Sequence, residues 1–280
     1  MREWQVLITG ATGGIGLAAA KALAALGAHV AIVGRNAVRT RVAAAAIQAE
    51  ARKGARVTSF VADLADQAAV RHLAGDVLAR HAKIDVLINN AGAMYRTRHL
   101  TPDGVELTWA VNHLAPFLLT TRLLDRLIAS TPSRIITTAS DAHRGAELPF
   151  DDLNAEKGYN GFLRYKQTKL ANILFAQELA HRLAGTGVIS SCFHPGLVAS
   201  GFNRNNGVAM SLAMLALRPW SRSVEKGAET LVWLAHAAKP EDLNGGYFVD
   251  RERRQPSPQA RDTQAARRLW QISERQCAGS

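Results

Sequence analysis

The chain has 280 residues, 48% of them hydrophobic, a formal net charge of +11 and two cysteines. That length and apolar content can bury a substantial core and suit one large domain better than two ordinary ones. Cys192 and Cys277 are too few and too far apart for a disulfide framework or a thiolate metal site, so no metal is expected and a reducing cytoplasm is the expected compartment. The excess of Lys and Arg suits an anionic partner: a nucleic acid, an acidic membrane surface or a phosphorylated cofactor.

Met1 to Gln5 carries Arg2 and Glu3 and runs straight into Val6-Leu7-Ile8, which is not the pattern of a secretory leader. Short runs of branched apolar residues predict buried strands at residues 6–9, 29–33, 57–62, 85–88, 134–138, 188–193 and 247–249. Ala- and Leu-rich stretches between them predict helices at 15–26, 39–53, 65–80, 105–129, 165–183 and 224–237. Near-strict alternation of strand and helix predicts an α/β fold: a doubly wound (Rossmann) parallel sheet of about seven strands with helices on both faces, in a single domain. The expected organisation is a dinucleotide-binding and catalytic domain over residues 1–250 with a substrate lid at about 200–223. Residues 251–280 follow as a basic C-terminal extension with a short helix.

The first strand runs through Thr9-Gly10-Ala11-Thr12-Gly13-Gly14-Ile15-Gly16 into a helix. Glycines at that junction let the backbone turn tightly against a pyrophosphate, and the unpaired amides at the helix start offer it hydrogen bonds. The second strand ends at Val33-Gly34-Arg35-Asn36, where a carboxylate would hold the ribose hydroxyls of NAD. Arg35 stands there instead, with Arg39 one turn further on, and two guanidinium groups suit a 2′-phosphate, so NADP is favoured over NAD. The plainer reading of Arg35 is a solvated loop residue. Asp63 and Leu64 after the third strand, and Asn90, Ala91 and Gly92 after the fourth, are further cofactor candidates, although both stretches are also ordinary turn chemistry.

Tyr165 and Lys169 lie one helical turn apart on one side of the helix that Tyr165 is expected to open. A phenol ionises near pH ~10, and an ammonium beside it favours the phenolate, so the pair can serve as a proton partner. The spacing also occurs by chance on helix surfaces. Pro116, four residues after Asn112, has no amide hydrogen for the Asn112 carbonyl, and a kink is expected to leave that carbonyl free for water.

Thr-Gly-x-x-x-Gly-x-Gly at 9–16, Asn-Asn-Ala-Gly at 89–92, Ser140, Tyr-x-x-x-Lys at 165–169 and Pro195-Gly196 occur in this order. The sequence therefore resembles the short-chain dehydrogenase/reductase family over nearly its whole length. Residues 111–120 and 165–178, His194-Pro195-Gly196, Gly246-Tyr247-Phe248 and Leu269-Trp270 are similar to its retinol dehydrogenase-like branch. The resemblance implies an oxidoreductase in which Tyr165 is the acid/base, Ser140 orients the reacting oxygen and Lys169 holds the nicotinamide ribose. Asn112 would anchor a water relay, and Pro195 and Gly196 would lie beside the nicotinamide. It implies a homodimer or homotetramer paired through the helices at 105–129 and 165–183. Ala139 departs from the branch, where a second Ser is frequent, and Ser200 replaces a frequent Thr.

Residues 200–223 mix Phe202, Met210, Leu212, Met214, Leu215, Leu217 and Trp220 with Arg204, Arg218 and Arg222. As a lid they suit a hydrophobic aldehyde, ketone, retinoid or steroid-like substrate. Ordinary helix packing and an interfacial membrane contact are the competing readings. The apolar stretch at 208–217 falls short of the ~20 residues that span a bilayer. The tail arginines read as a solvated basic face, and no nucleic-acid module is recognisable. The rival to an active enzyme is a catalytically silent dinucleotide-sensing or scaffold protein of the same fold.

Overall fold

The computed structural model describes residues 3–198, 221–237 and 239–278. Eight strands form one sheet in the order β3-β2-β1-β4-β5-β6-β7-β8. They are β1 (Gln5–Thr9), β2 (His29–Gly34), β3 (Val57–Val61), β4 (Val86–Asn89), β5 (Ser133–Thr138), β6 (Val188–His194), β7 (Tyr247–Val249) and β8 (Glu252–Arg254). Pairing is parallel throughout except between β7 and β8. Strand order reverses at β1, which pairs with β2 on one side and β4 on the other, so a crevice opens at the carboxyl ends of β1 and β4.

Successive side chains of a strand point to opposite faces, and both faces are apolar here. Val6, Ile8, Val30, Ile32, Val86, Ile88 and Phe193 face one way, under α1 (Gly14–Ala25), α2 (Ala37–Glu50) and α6 (Val224–His236). Leu7, Ala31, Val33, Leu87, Ile135 and Cys192 face the other. That second face is covered by α3 (Gln67–Arg80), α4 (Ala115–Ala129), α5 (Gly161–Arg182) and α7 (Thr263–Cys277). Burial on both faces explains why the strands read as continuous apolar runs.

The sheet has one strand more than expected. Asp250 and Arg251, both at positive φ (52° and 65°), form a two-residue turn that folds β8 back along β7. Glu252, Arg253 and Arg254 are all exposed, so no apolar alternation marked this edge strand, and its charges block further pairing. The tail is also no appendage. Helix α7 runs for 15 residues, and its Ala266, Leu269, Trp270 and Cys277 belong to the main core. Trp270 packs edge-on to Phe117 at 4.9 Å, stacks with Phe175 at 6.0 Å and carries the Arg182 guanidinium 4.3 Å above its ring. Phe117 lies on α4 and Phe175 on α5, so part of the surface expected to pair subunits carries α7 instead.

The single helix expected at 105–129 is three pieces: an α-turn at Leu107–Trp109, a π-turn at Ala110–Leu114, and α4. Helix α5 begins at Gly161, where the Asn160 Oδ1 accepts the Leu163 amide at 2.9 Å, so Tyr165 lies in its second turn and does not open it. All but the last three residues of the lid expected at 200–223 lie outside the described residues, as does Ser200.

Trp270→Ala removes an aromatic wedge between two helices and is expected to cost about 3–5 kcal/mol. Denaturant unfolding of the two proteins measures that difference.

Candidate active site

At the end of β1 the chain turns through Gly10 at φ 69°, and a Cβ there would stand 2.8 Å from the Ala91 Cα. Gly16 is equally confined, because a Cβ would run into the Gly10 carbonyl and the Asn90 side chain. Among the described residues no side chain caps α1, whose N-cap is Gly13, so its first-turn amides are left for a ligand in the crevice. Gly14, at φ 55°, completes the turn, and Ile15 packs into the core under α6. This cradle, with no room for a side chain at Gly10 or Gly16 and with the amides of a helix start beside it, fits a pyrophosphate.

The Thr12 methyl closes over Gly34 at the end of β2, which brings the glycine turn next to Arg35. Asn36 caps α2, its Oδ1 accepting the Arg39 amide at 3.0 Å. Both arginines therefore stand at the positive end of α2, both are exposed, and among the described residues neither guanidinium has a carboxylate partner. Asp63 is exposed after β3, its Oδ1 accepting the Ala65 amide at 3.0 Å, while Leu64 packs against the core.

The fourth strand end divides in two. The Asn90 side chain donates to the carbonyls of Thr9 (3.0 Å) and Gly10 (3.3 Å), while the Thr9 hydroxyl accepts the amides of Asn90 and Ala91, each at 3.1 Å. Asn90 thus holds the glycine turn in shape. Gly92 lies further along, where a Cβ would stand 3.4 Å from Asn112 Oδ1 and 3.5 Å from Lys169 Nζ.

Ser140 follows β5, and its hydroxyl accepts the Ala142 amide at 3.2 Å and hydrogen-bonds Tyr165. Lys169 stands 5.5 Å from the Tyr165 ring centre and donates to the Thr138 carbonyl at 3.0 Å. Ser140, Tyr165 and Lys169, separate in sequence, therefore meet at the carboxyl edge of the sheet. Burial pushes the Tyr165 phenol up to about 12, against the lowering effect of the Ser140 hydrogen bond, and pulls Lys169 down to about 8. The expectation that the ammonium sets the phenol lower is thus not met. Desolvation penalises both ions and is the largest cause of each shift.

The Asn112 side chain is fully engaged. Its Oδ1 accepts the Ala93 amide at 2.7 Å, and its Nδ2 donates to the Ala93 carbonyl at 2.8 Å and to Thr168 Oγ1 at 3.0 Å. The backbone answers the expectation of a kink differently. The Ala115 amide reaches back to Ala110 and residue 116 has none, so the carbonyls of Val111 and Asn112 both lose their α-helical partners in the π-turn. Near the strap after β6, Gly196 sits at φ 84° beneath Arg222, which forms an ion pair with Asp250, its Nη2 donating to Oδ2 at 3.0 Å.

Sequence reasoning missed Glu106 and Arg164, a fully buried ion pair at 2.7 Å. Glu106 also accepts the amides of Thr108 (2.8 Å) and Trp109 (2.9 Å), starting the turn that leads to Asn112. Arg164 precedes Tyr165, donates to the Leu153 carbonyl and lies 4.8 Å over the Trp109 ring. The signal in the sequence was an acidic residue directly before a helical run, a capping pattern, with nothing to name its distant partner. His113 is buried beside the site, its Nε2 2.8 Å from the Ser273 hydroxyl of α7, and burial lowers its pKa to about 3.

Burial of Lys169 carries a cost that pH reveals. Its pKa of about 8 lies below the ordinary 10.5, so between those values the folded protein binds fewer protons than the unfolded chain. Stability therefore rises with pH across that window, and the penalty is complete below about 8. Lys169→Met is expected to be more stable than the parent near pH 7 by on the order of 1–3 kcal/mol, with the gap closing toward pH 10. Denaturant unfolding across that range checks the sign.

The chain matches the model of the short chain dehydrogenase family over residues 5–210. It is 41% identical to human retinol dehydrogenase 12 over 268 residues, spanning 96% of this chain and 84% of that protein. Human retinol dehydrogenase 14 is 39% identical with the same coverage of both. Among solved structures, an uncharacterised protein of Mycobacterium paratuberculosis superposes with a TM-score of 0.80 at 31% identity, covering 99% of this chain and 94% of that one. A short chain dehydrogenase of Burkholderia cenocepacia in complex with NADP has a TM-score of 0.71 at 28% identity, covering 88% and 96%. A glycine cradle at the sheet's reversal, with Ser, Tyr and Lys gathered at the same edge, thus comes with sequence likeness along nearly the whole chain: it belongs to the short-chain dehydrogenase family, in its retinol dehydrogenase-like branch.

Proposed function

We propose that this protein is an NADP-dependent oxidoreductase acting in the cytoplasm on a hydrophobic carbonyl or alcohol compound. The observation that carries the reading is the Ser140 hydrogen bond to Tyr165 with Lys169 one turn on, at the same sheet edge as the glycine cradle. Gly10, Thr12, Gly13, Gly14, Ile15 and Gly16 would hold the pyrophosphate side, and Arg35 and Arg39 the 2′-phosphate. Asp63, Leu64, Asn90, Ala91 and Gly92 would line the adenosine and ribose path, and Pro195 and Gly196 the nicotinamide. When bound, the dinucleotide supplies or accepts the hydride at the substrate carbon.

The chain's own residues handle the proton. A phenol raised to about 12 keeps its proton at neutral pH and stands ready as the acid of carbonyl reduction. Ser140 donates a hydrogen bond to the carbonyl oxygen, and Tyr165 passes its proton to that oxygen as the alcohol forms. Lys169, cationic below about 8, stabilises the phenolate left behind. The Asn112 carbonyl, lacking its α-helical partner, holds a water that returns a proton to Tyr165. In alcohol oxidation every transfer reverses.

NADP in the Burkholderia neighbour, and Arg35 and Arg39 with no carboxylate partner among the described residues, support the choice of cofactor. The retinol dehydrogenase names of the relatives support an apolar substrate. A homodimer or homotetramer would have to form with α7 left in place over part of α4 and α5.

NADPH oxidation with a panel of hydrophobic aldehydes and ketones tests the reading. Tyr165→Phe is expected to lower turnover about a thousandfold while NADPH binding persists; unchanged turnover in that variant overturns the assignment. A parent protein that binds NADPH and turns over nothing would instead be a silent sensor. Arg35→Asp is expected to raise the KM for NADPH far more than that for NADH, and an equal rise removes the phosphate contact.

A further inference from the structure

A cavity of about 270 Å³ lies beside the first turn of α5, lined by Met94, Arg96, Tyr159, Asn160, Gly161 and Phe162. None of these residues belongs to the proposed cofactor path. Phe162 stands three residues before Tyr165, and positions three apart on a helix are surface neighbours about 5–6 Å apart. The cavity therefore begins one helical turn from the proposed acid.

Its walls are held from behind. The Tyr159 hydroxyl donates to the Tyr95 carbonyl at 2.9 Å and sits 3.3 Å from Glu106 Oε1 and 3.1 Å from Thr108 Oγ1. That hydroxyl is occupied inward. Gly161 has no Cβ to collide with the Tyr95 carbonyl, so the 95–96 backbone rests on the first turn of α5 and carries Arg96 to the rim. Met94 is buried, whereas Phe162 is 60% exposed, so one apolar wall is shielded and the other opens to solvent. Among the lining residues there is one formal charge, the Arg96 guanidinium, and no carboxylate.

We infer that this cavity receives the remote end of the substrate and that Arg96 reads an anion there, so the preferred compound is a carbonyl on an apolar body that ends in a carboxylate. This rests on the proposed carbonyl chemistry at Tyr165. At ~30 Å³ per water-sized group, the volume accepts a chain or ring of roughly nine such groups, a size in keeping with a medium-length acyl body. Met94, the ring of Tyr159 and Phe162 give that body apolar contact, and five N–H donors leave the guanidinium able to take a carboxylate beside another contact. The net charge of +11 draws such an anion toward the molecule.

The ω-oxo derivative of decanoic acid and its methyl ester share aldehyde and chain and differ in the anion. With NADPH, the acid is expected to exceed the ester in kcat/KM by about tenfold, mostly through KM. Arg96→Met, at an exposed position, should bring that ratio to about one, and Arg96→Lys should restore part of it. A parent ratio at or below one, or a ratio that survives Arg96→Met, overturns the inference. Calorimetry of decanoate with the NADP-loaded protein separates this site from the chemistry. Arg96-dependent decanoate binding without turnover of any aldehyde sustains the anion site and sinks the hydride reading. Turnover without Arg96-dependent binding does the opposite, and loss of both removes both.

Discussion

The side chain of Asn112 is the joint on which the arrangement of the site depends. Three hydrogen bonds tie it to the loop after β4 and, through Thr168, to α5, and Thr168 in turn donates to the Tyr165 carbonyl at 2.7 Å. An amide can accept at one end and donate twice at the other without carrying charge, which a buried position demands. The same residue lies in the middle of the π-turn, where the α-helical ladder is broken. Its side chain fixes the neighbouring elements, and its carbonyl lacks its α-helical partner. Glu106 and Arg164 brace the joint from the other side, anchoring the turn before Asn112 to the residue before Tyr165.

What the sequence disclosed follows how local each interaction is. Strands buried on both faces announce themselves as apolar runs, and Gly10 and Gly16 mark a backbone with no room for Cβ atoms. Tyr165 and Lys169 share one helix, so their proximity was readable from spacing alone. Ser140 was placed by likeness to a family, since no spacing joins it to α5. Glu106–Arg164, 58 residues apart, and His113–Ser273, 160 apart, left no periodic trace. Strand β8 was hidden because its three residues are all charged, and its existence depends on two residues at positive φ that propensity alone does not assign.

Tyr165 and Lys169 show how burial sets chemistry. Water would let each side chain ionise near its ordinary value; the packed edge of the sheet holds the phenol neutral and makes the ammonium reluctant. The two shifts move apart, so at neutral pH a protonated phenol stands beside a lysine that still carries its charge. A lysine placed this way weakens the fold in order to serve the site, the kind of local conflict that natural proteins concentrate where they act.

Helix α7 also bears on the order in which the molecule can assemble. The glycine turn, β1, β2 and α1 lie within the first 34 residues and can pack as soon as β4 arrives beside them. His113 waits for Ser273, and Trp109 donates through its indole nitrogen to Gln276 at 3.0 Å. During synthesis the ribosome must therefore deliver a long stretch of further chain before the walls behind Asn112 are closed. The half that carries the glycine cradle can form early, whereas the half that carries Asn112 and Tyr165 is closed only when residues 273–276 have arrived.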